Sequence, residues 1–497
     1  MPRLTFQSRR IWRGIFTVSF ILRAYLTFQN SYLHPDEHVQ GPEVIANGYF
    51  GWAAQFPWEF TSDNPIRSMV PLWMVYGIPM SFFSGSTSPL HVLYAIRIIL
   101  TLLTWVLTDM AVDRLSKFDT DKLRSLIFVS TSYVTMTYQA HTLSNGLETI
   151  LLLWCLVIIH EFKVTNTNTL DRQYDSLLLG FLLALGVFNR PTFLGFLVLP
   201  SIQLFNFFIR HPGSLLTCVF AGVASSMLFI YIDTLLYAHD DWVIAPLNNV
   251  RYNLLSTNLS MHGLHPRYFH LLVNLPALIG PGILLIEPGT SLSMLSAVSG
   301  LVSLSLFPHQ EARFLIPLIP LLCMNMDFRR FSARFQKILL VLWLAFNLVM
   351  SFILGVYHQG GVIPAQTELR KYPLPSTVIW WKTYVPPLWL TGLQHDEVKY
   401  VSVEKSGVES VSTALEPANK SMVVIDVQGL SQDVFDDVLS RTSGTTYVVA
   451  PLGSKVEKGE LIWKHNQHIS FDNGGLFSSM RGLGIWEVKK SILSRIL

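Results

Sequence analysis

Residues 176–208 read "SLLLGFLLALGVFNRPTFLGFLVLPSIQLFNFF". At about 1.5 Å of rise per residue, this apolar run is too long for one upright membrane helix and tight for two. In its middle stand Asn189, Arg190 and Pro191. An arginine at mid-bilayer is costly in lipid, and a proline breaks the helical ladder. The run is therefore read as two short spans turning at Asn189–Pro191, and that turn sets the side of the membrane on which everything after it lies.

The rest of the chain supports a membrane reading. Of 497 residues, 50% are hydrophobic and 14% charged, against about 25% charged in an ordinary soluble protein. Further candidate spans are 11–28, 90–108, 125–141, 146–162, 214–237, 268–286, 290–308, 314–326 and 337–357, so the expected class is a polytopic α-helical membrane protein with about eleven transmembrane helices. The proline-broken run 69–84 reads as a re-entrant or interfacial helix. Arg23 interrupts the first apolar run and no small-residue cleavage site follows it, which argues for a retained span rather than a signal peptide. A net charge of +3 gives no indication of a nucleic-acid partner. Cys155, Cys218 and Cys323 all lie in apolar runs and read as small buried hydrophobes.

Splitting 176–208 sorts the basic residues. With a cytosolic N-terminus, the cytosolic segments hold Arg9, Arg10, Arg114, Lys122, Arg124, Lys163, Arg172, Arg210, Arg329, Arg330 and Arg334 among others, and the opposite side holds few: Arg67, Arg190, Arg251, Arg267 and Arg313. This is the positive-inside pattern. It puts loop 29–68, loop 238–267 and the tail after 358 on the lumenal side, together with the sequons at Asn258 and Asn419.

Domain organisation follows from a change of composition near residue 358. Before it, 1–357 reads as the multi-spanning part. After it, 358–497 carries short β-branched runs, "KYVSVE", "MVVIDV", "TTYVVA" and "GIWEV", and one amphipathic helix, "SQDVFDDVLSR". That pattern predicts a small α/β domain.

Loop 29–68 holds five acids and one arginine. Asp36 and Glu37 follow His34-Pro35 at the end of the first span, where a carboxylate at the water–lipid boundary suits a base that meets a lipid-borne substrate. The same residues suit the start of a helix from about Glu37 to Asn47, with acids in its first turn; on it, Gln40 and Glu43 would share a face with Asp36. Trp58 and Glu59 suit a sugar, or else an interfacial aromatic belt. Arg67 suits a phosphate, or else neutralises a loop acid. In the second loop, Arg251, Asn253, His262, His265 and Arg267 are candidates for sugar or phosphate contact. His309, Glu311 and Arg313 occupy a short turn between spans, where a Glu–Arg pair marks a site or locks two helices. No nucleotide-binding glycine pattern, nucleophile elbow or metal-ligand spacing is present, which favours a lipid-linked donor and no metal.

The strings "YLHPDEHVQGPEVIA", "PWEFTSDNPIRS", "TLSNGLETILLLW" (142–154), "FNRPTFLGF" (188–196), "PLNNVRYNLLSTNLSMHGLHPRYFHLLVNLP" (246–276) and "HQEARFLIPLIP" (309–320) resemble, in order, the dolichyl-phosphate-mannose-dependent mannosyltransferases of glycosyltransferase family 22. The "HPDE" loop is similar to that of the family's GPI-anchor branch. The resemblance implies a GT-C fold in the endoplasmic reticulum membrane. It also implies inverting transfer of mannose from dolichyl phosphate mannose to the third mannose of the GPI precursor, in α1,2 linkage. The third-mannose step and the N-glycan branch are the alternatives within the family, and a polytopic transporter the one outside enzymes. The implied roles are Asp36 as base and Glu37 as its support or an acceptor ligand. Arg251, Arg313 and then Arg67 are candidates for the phosphate, with His34, Gln40, Glu43, Trp58, Glu59, Asn253, His309 and Glu311 around the substrates. The implied partners are the two glycolipids and membrane lipids, without a cofactor or an obligate protein partner.

Overall fold

The computed structural model describes residues 9–116, 119–164, 169–254, 263–374, 376–415, 422–471 and 481–489. Asn258, His262 and Asn419 lie outside them. The chain forms two compact units. The first gathers the described residues up to Thr27, with Pro57–Val75 and Arg97–Val349; the second gathers Phe28–Phe56, Tyr76–Ile96 and the described residues from Met350 on. The units thus differ from a simple division at 357/358: the first half of the acidic loop belongs with the tail.

Four helices among the described residues are long and apolar enough to cross a membrane: Pro89–Leu115, Ser144–Lys163, Pro212–Tyr237 and Ala333–Tyr357. The helix Thr169–Asn189 ends where the Arg-Pro step requires. Arg190, preceding proline, is extended at φ −156°, ψ 119°. Beyond it, Pro191–Leu197 and Ser201–Arg210 meet at 76°. Inside the first unit, Thr169–Asn189 packs closely on Pro212–Tyr237: a Cβ on Gly180 would stand 2.2 Å from the Cys218 carbonyl oxygen and 2.9 Å from the Gly222 nitrogen, so only glycine admits this approach.

Several expected spans are not straight helices. Segment 125–141 resolves into Asp119–Thr131, Tyr133–Thr137 and a 3-10 turn, Tyr138–Ala140. Ser132 breaks it in an extended conformation. The Asn347 side-chain oxygen accepts the Tyr133 amide at 2.7 Å, satisfying a backbone group that lipid could not. Segment 268–286 divides into a π-helical turn, His270–Asn274, an α-turn, Leu275–Ile279, and a 3-10 turn, Gly280–Leu285, around Pro276, Gly280 and Pro281. Arg23, the charge in the first run, is buried and donates to Thr104 Oγ1 at 2.7 Å and Gln139 Oε1 at 3.4 Å. The three cysteines are buried and free.

In the second unit a six-stranded sheet has the order β2-β3-β1-β4-β6-β5. The strands are β1 (Ser376–Trp381), β2 (Val398–Ser402), β3 (Met422–Gln428), β4 (Thr445–Pro451), β5 (Glu460–His465) and β6 (Leu483–Lys489). β2, β3, β1 and β4 run parallel; β6 and β5 are antiparallel additions. Strand β1 is buried along its whole length, as expected of a strand covered on both faces. Trp380 packs into one face with Val424, Val449, Ile485 and the helix Val362–Leu369. Trp381 packs into the other with Ile425, Val448 and Phe435 of the helix Gln432–Arg441. Burying each indole stabilises by roughly 4–6 kcal/mol of gross transfer free energy. Residues 28–56 are stitched to this unit by backbone bonds, Tyr32 N to His358 O at 3.0 Å, Ala53 N to Leu393 O at 2.8 Å and His395 N to Gly51 O at 3.0 Å.

Candidate active site

In the second unit, His34-Pro35-Asp36-Glu37 opens a single helical turn, Asp36–Val39, with both acids in it. The Glu37 amide donates to the His34 carbonyl at 2.9 Å. The Glu37 carboxylate reaches back to accept the Leu33 amide at 2.9 Å, tying the turn to the chain that enters it. The Asp36 amide donates to His34 Nδ1 at 3.1 Å. That nitrogen is therefore the acceptor of the imidazole, and its 3.7 Å approach to Asp36 Oδ1 is not a proton-bearing contact. Burial separates the two acids: Glu37 is 0% exposed, whereas the Asp36 side chain keeps 18% of its surface. Asp36 can meet a substrate atom. Glu37 holds the turn.

The expected helix from Glu37 to Asn47 is interrupted. The first turn ends at Gln40, and a second helix runs Pro42–Phe50. Between them Gly41 lies against Tyr76, where a Cβ would stand 2.7 Å from the ring. Gln40 and Glu43 consequently do not share a continuous helical face with Asp36. Glu43 is fully buried and accepts the Gln55 amide at 2.6 Å. Burial raises its pKa to about 8, against the lowering effect of the Gln55 and Leu388 amides. His38 is buried beside Trp389, whose Nε1 donates to His38 Nδ1 at 3.2 Å.

Glu43 makes stability depend on pH. An acid whose folded pKa lies above its unfolded value binds more protons when folded, so stability falls as pH rises from about 4.5 towards 8. In the full chain in detergent, Glu43→Gln should flatten this decline: its Tm should change less than the wild type's between about pH 5 and about pH 8. A parallel decline in both proteins would contradict it.

The first unit carries a different cluster. Arg67 directs Nε and Nη2 onto Glu59 Oε1 at 3.1 and 3.0 Å; of its two expected roles, the structure displays neutralisation of a loop acid. The Arg67 carbonyl accepts from Tyr237 Oη at 2.7 Å, and Trp58 packs against Tyr252 with centroids 4.4 Å apart and the rings tilted by 33°. Asn253 bonds back to Asn249 within the helix Ala245–Leu254, and Arg251 on that helix is exposed, with no ion pair among the described residues. The turn 309–313 forms a relay: His309 Nε2 lies 2.8 Å from Glu311 Oε1, and Glu311 takes a two-point contact from Arg313. Burial lowers the His309 pKa, but Glu311 and the Gly263 carbonyl outweigh it and leave a net rise. Adjacent to this relay is a pair that sequence reasoning did not place at the site. Arg190 Nε lies 3.4 Å from Glu148 Oε2, and its guanidinium sits 4.9 Å over the Phe314 ring. The signal was present, as a glutamate and an arginine inside apolar runs.

A bundle of apolar, broken helices and an α/β unit, with an acid turn in one unit and arginine–glutamate pairs in the other, has the architecture of a GT-C membrane glycosyltransferase. The crystal structure of ArnT from Cupriavidus metallidurans bound to undecaprenyl phosphate shares this fold, with a TM-score of 0.54 over 96% of this chain and 98% of that one at 10% identity. The chain belongs to the Alg9-like mannosyltransferase family, whose model matches residues 14–391, and is thus a glycosyltransferase. Among its relatives, GPI mannosyltransferase 4 of Yarrowia lipolytica is 39% identical over 96% of this chain and 100% of its own length. The protein of that name from Eremothecium gossypii is 42% identical over 73% of this chain and 74% of its own, and that from Saccharomyces cerevisiae 38% over 83% of each.

Proposed function

We propose that the protein transfers mannose from dolichyl phosphate mannose to the third mannose of the GPI-anchor precursor, making an α1,2 linkage. It does so as an eleven-span protein of the endoplasmic reticulum, with a cytosolic N-terminus and with the acidic loop and the tail facing the lumen. The observation that carries the chemistry is the contrast within one helical turn: Glu37 is sealed and bonded to backbone, and Asp36 is left reachable. An inverting displacement needs one such base. Asp36 takes the acceptor hydroxyl proton while that oxygen bonds to the anomeric carbon; the anomeric C–O bond to phosphate breaks on the opposite face, through an oxocarbenium-like transition state. Dolichyl phosphate departs with the electron pair and needs no proton, so a cation facing it suffices. The lipid-linked donor makes a separate cofactor unnecessary. The choice of step rests on the likeness to the GPI mannosyltransferase 4 relatives named above.

Depletion of the protein in cells, followed by identification of the lipid that accumulates, tests the assignment. A GPI precursor with three mannoses is the expected product. A two-mannose precursor would assign the third-mannose step instead, and a dolichol-linked oligosaccharide the N-glycan branch.

A further inference from the structure

Three guanidiniums of the first unit arrive from separate segments: Arg67 from the acidic loop, Arg190 from the helix break and Arg313 from the turn after Phe307. They lie near enough for Arg67 and Arg313 to repel the charge on Arg190. Arg190 and Arg313 also share one aromatic ring, with their guanidinium carbons 4.9 and 5.4 Å from the Phe314 centroid. Like charges gathered in a low-dielectric region are unfavourable unless carboxylates pair with them, and Glu59, Glu148 and Glu311 do so here, so what distinguishes the three is how completely each guanidinium is used.

The three differ in what they have left to give. Arg67 and Arg313 each direct two nitrogens onto a single carboxylate, Glu59 and Glu311. Arg190 is held more loosely. Its Nε is 3.4 Å from Glu148 Oε2, its Nη1 donates to Ser144 Oγ at 3.3 Å, and its Nη2 has no partner among the described residues. Glu148 is itself fixed by Asn145 Nδ2 at 3.1 Å. A helix lock would use up the guanidinium fork; this arrangement orients the fork and leaves one edge open.

We propose that Arg190 is the donor-phosphate recognition residue of the transferase, with Glu148 as the positioning residue that aims it. This rests on the reading that the donor is a lipid phosphate sugar. Both the donor and the glycolipid acceptor carry lipid-linked phosphate; the assignment is to the donor, because the donor's phosphate gains charge as the sugar departs. A group that meets this phosphate helps to bind the donor and binds it more strongly as the charge grows towards the transition state and product, so its loss raises donor KM as well as slowing transfer.

The test uses the purified full-length protein in detergent. Arg190→Ala leaves Glu148 unpaired and risks misfolding, so the variants are Arg190→Lys, which keeps a charge without the fork, and the double variant Arg190→Gln/Glu148→Gln, which strands no charge. Each is assayed for KM towards dolichyl phosphate mannose, KM towards the glycolipid acceptor, Tm, and binding of dolichyl phosphate against uncharged dolichol. Both variants should raise donor KM and weaken dolichyl phosphate binding by about tenfold or more, leaving acceptor KM and dolichol binding unchanged. An altered Tm with unchanged donor KM and phosphate binding would reduce the pair to a helix lock and overturn the proposal, as would a rise confined to acceptor KM. If the wild type transfers no mannose from dolichyl phosphate mannose, the donor reading itself fails, a result distinct from wild-type transfer that the variants leave intact.

Discussion

Asp36→Asn should lower mannose transfer by at least about 100-fold while the protein still inserts and accumulates. The amide keeps the size of the carboxylate and its place beside His34 but cannot take a proton from the acceptor hydroxyl, and a positioned base is worth about 10²–10⁴ in rate. Asp36→Glu retains the base and moves it by one methylene, about 1.5 Å. A displacement of that size at a reacting centre costs on the order of 100-fold, so the two variants should be comparably inactive. Mannose transfer to the GPI precursor, measured in membranes with equal amounts of each protein, decides it. Near-normal turnover in both would remove Asp36 from the role of base.

That prediction singles out Asp36 within a pair of acids, and the sequence alone does not separate them. Residues 36 and 37 are both carboxylates beside a span. Which one is sealed depends on a bond to Leu33 and on packing by residues remote in the chain. The same distinction explains where the fold was legible. The break at Asn189–Pro191 was visible because its cause is local, a proline after an arginine in an apolar run. The break at Ser132 was not, because its compensating group, Asn347, lies 214 residues from Tyr133. Strands β2, β3, β4 and β6 announce themselves as short β-branched runs. The central strand β1, "STVIWW", was missed: it is covered on both faces, so it lacks the alternation that marks a half-buried strand. Gly41 falls inside the expected helix from Glu37 to Asn47, and the Tyr76 ring that closes on it comes from a segment remote in the chain. In the first unit, the Glu311–Arg313 pairing was legible from spacing, whereas the Glu148–Arg190 pairing joins residues 42 apart in number and needed the fold.

Glu37 should behave in the opposite way to its neighbour. If its carboxylate serves the turn rather than the reaction, what matters is an oxygen that accepts the Leu33 amide in a sealed place, not a charge or a basic site. Glu37→Gln supplies such an oxygen in nearly the same position, and its transfer rate per folded molecule should stay within a few-fold of the wild type. Glu37→Ala supplies none. It leaves the Leu33 amide without its acceptor, at a cost of about 1–3 kcal/mol, and opens a void beneath the turn that carries Asp36. Abundance and Tm should fall together, and the transfer rate with them, because the base is no longer held in place. The informative comparison is between the two variants. A glutamine variant that is stable but inactive would mean that the charge of Glu37 takes part in the chemistry, and the division of labour between the paired acids would be lost.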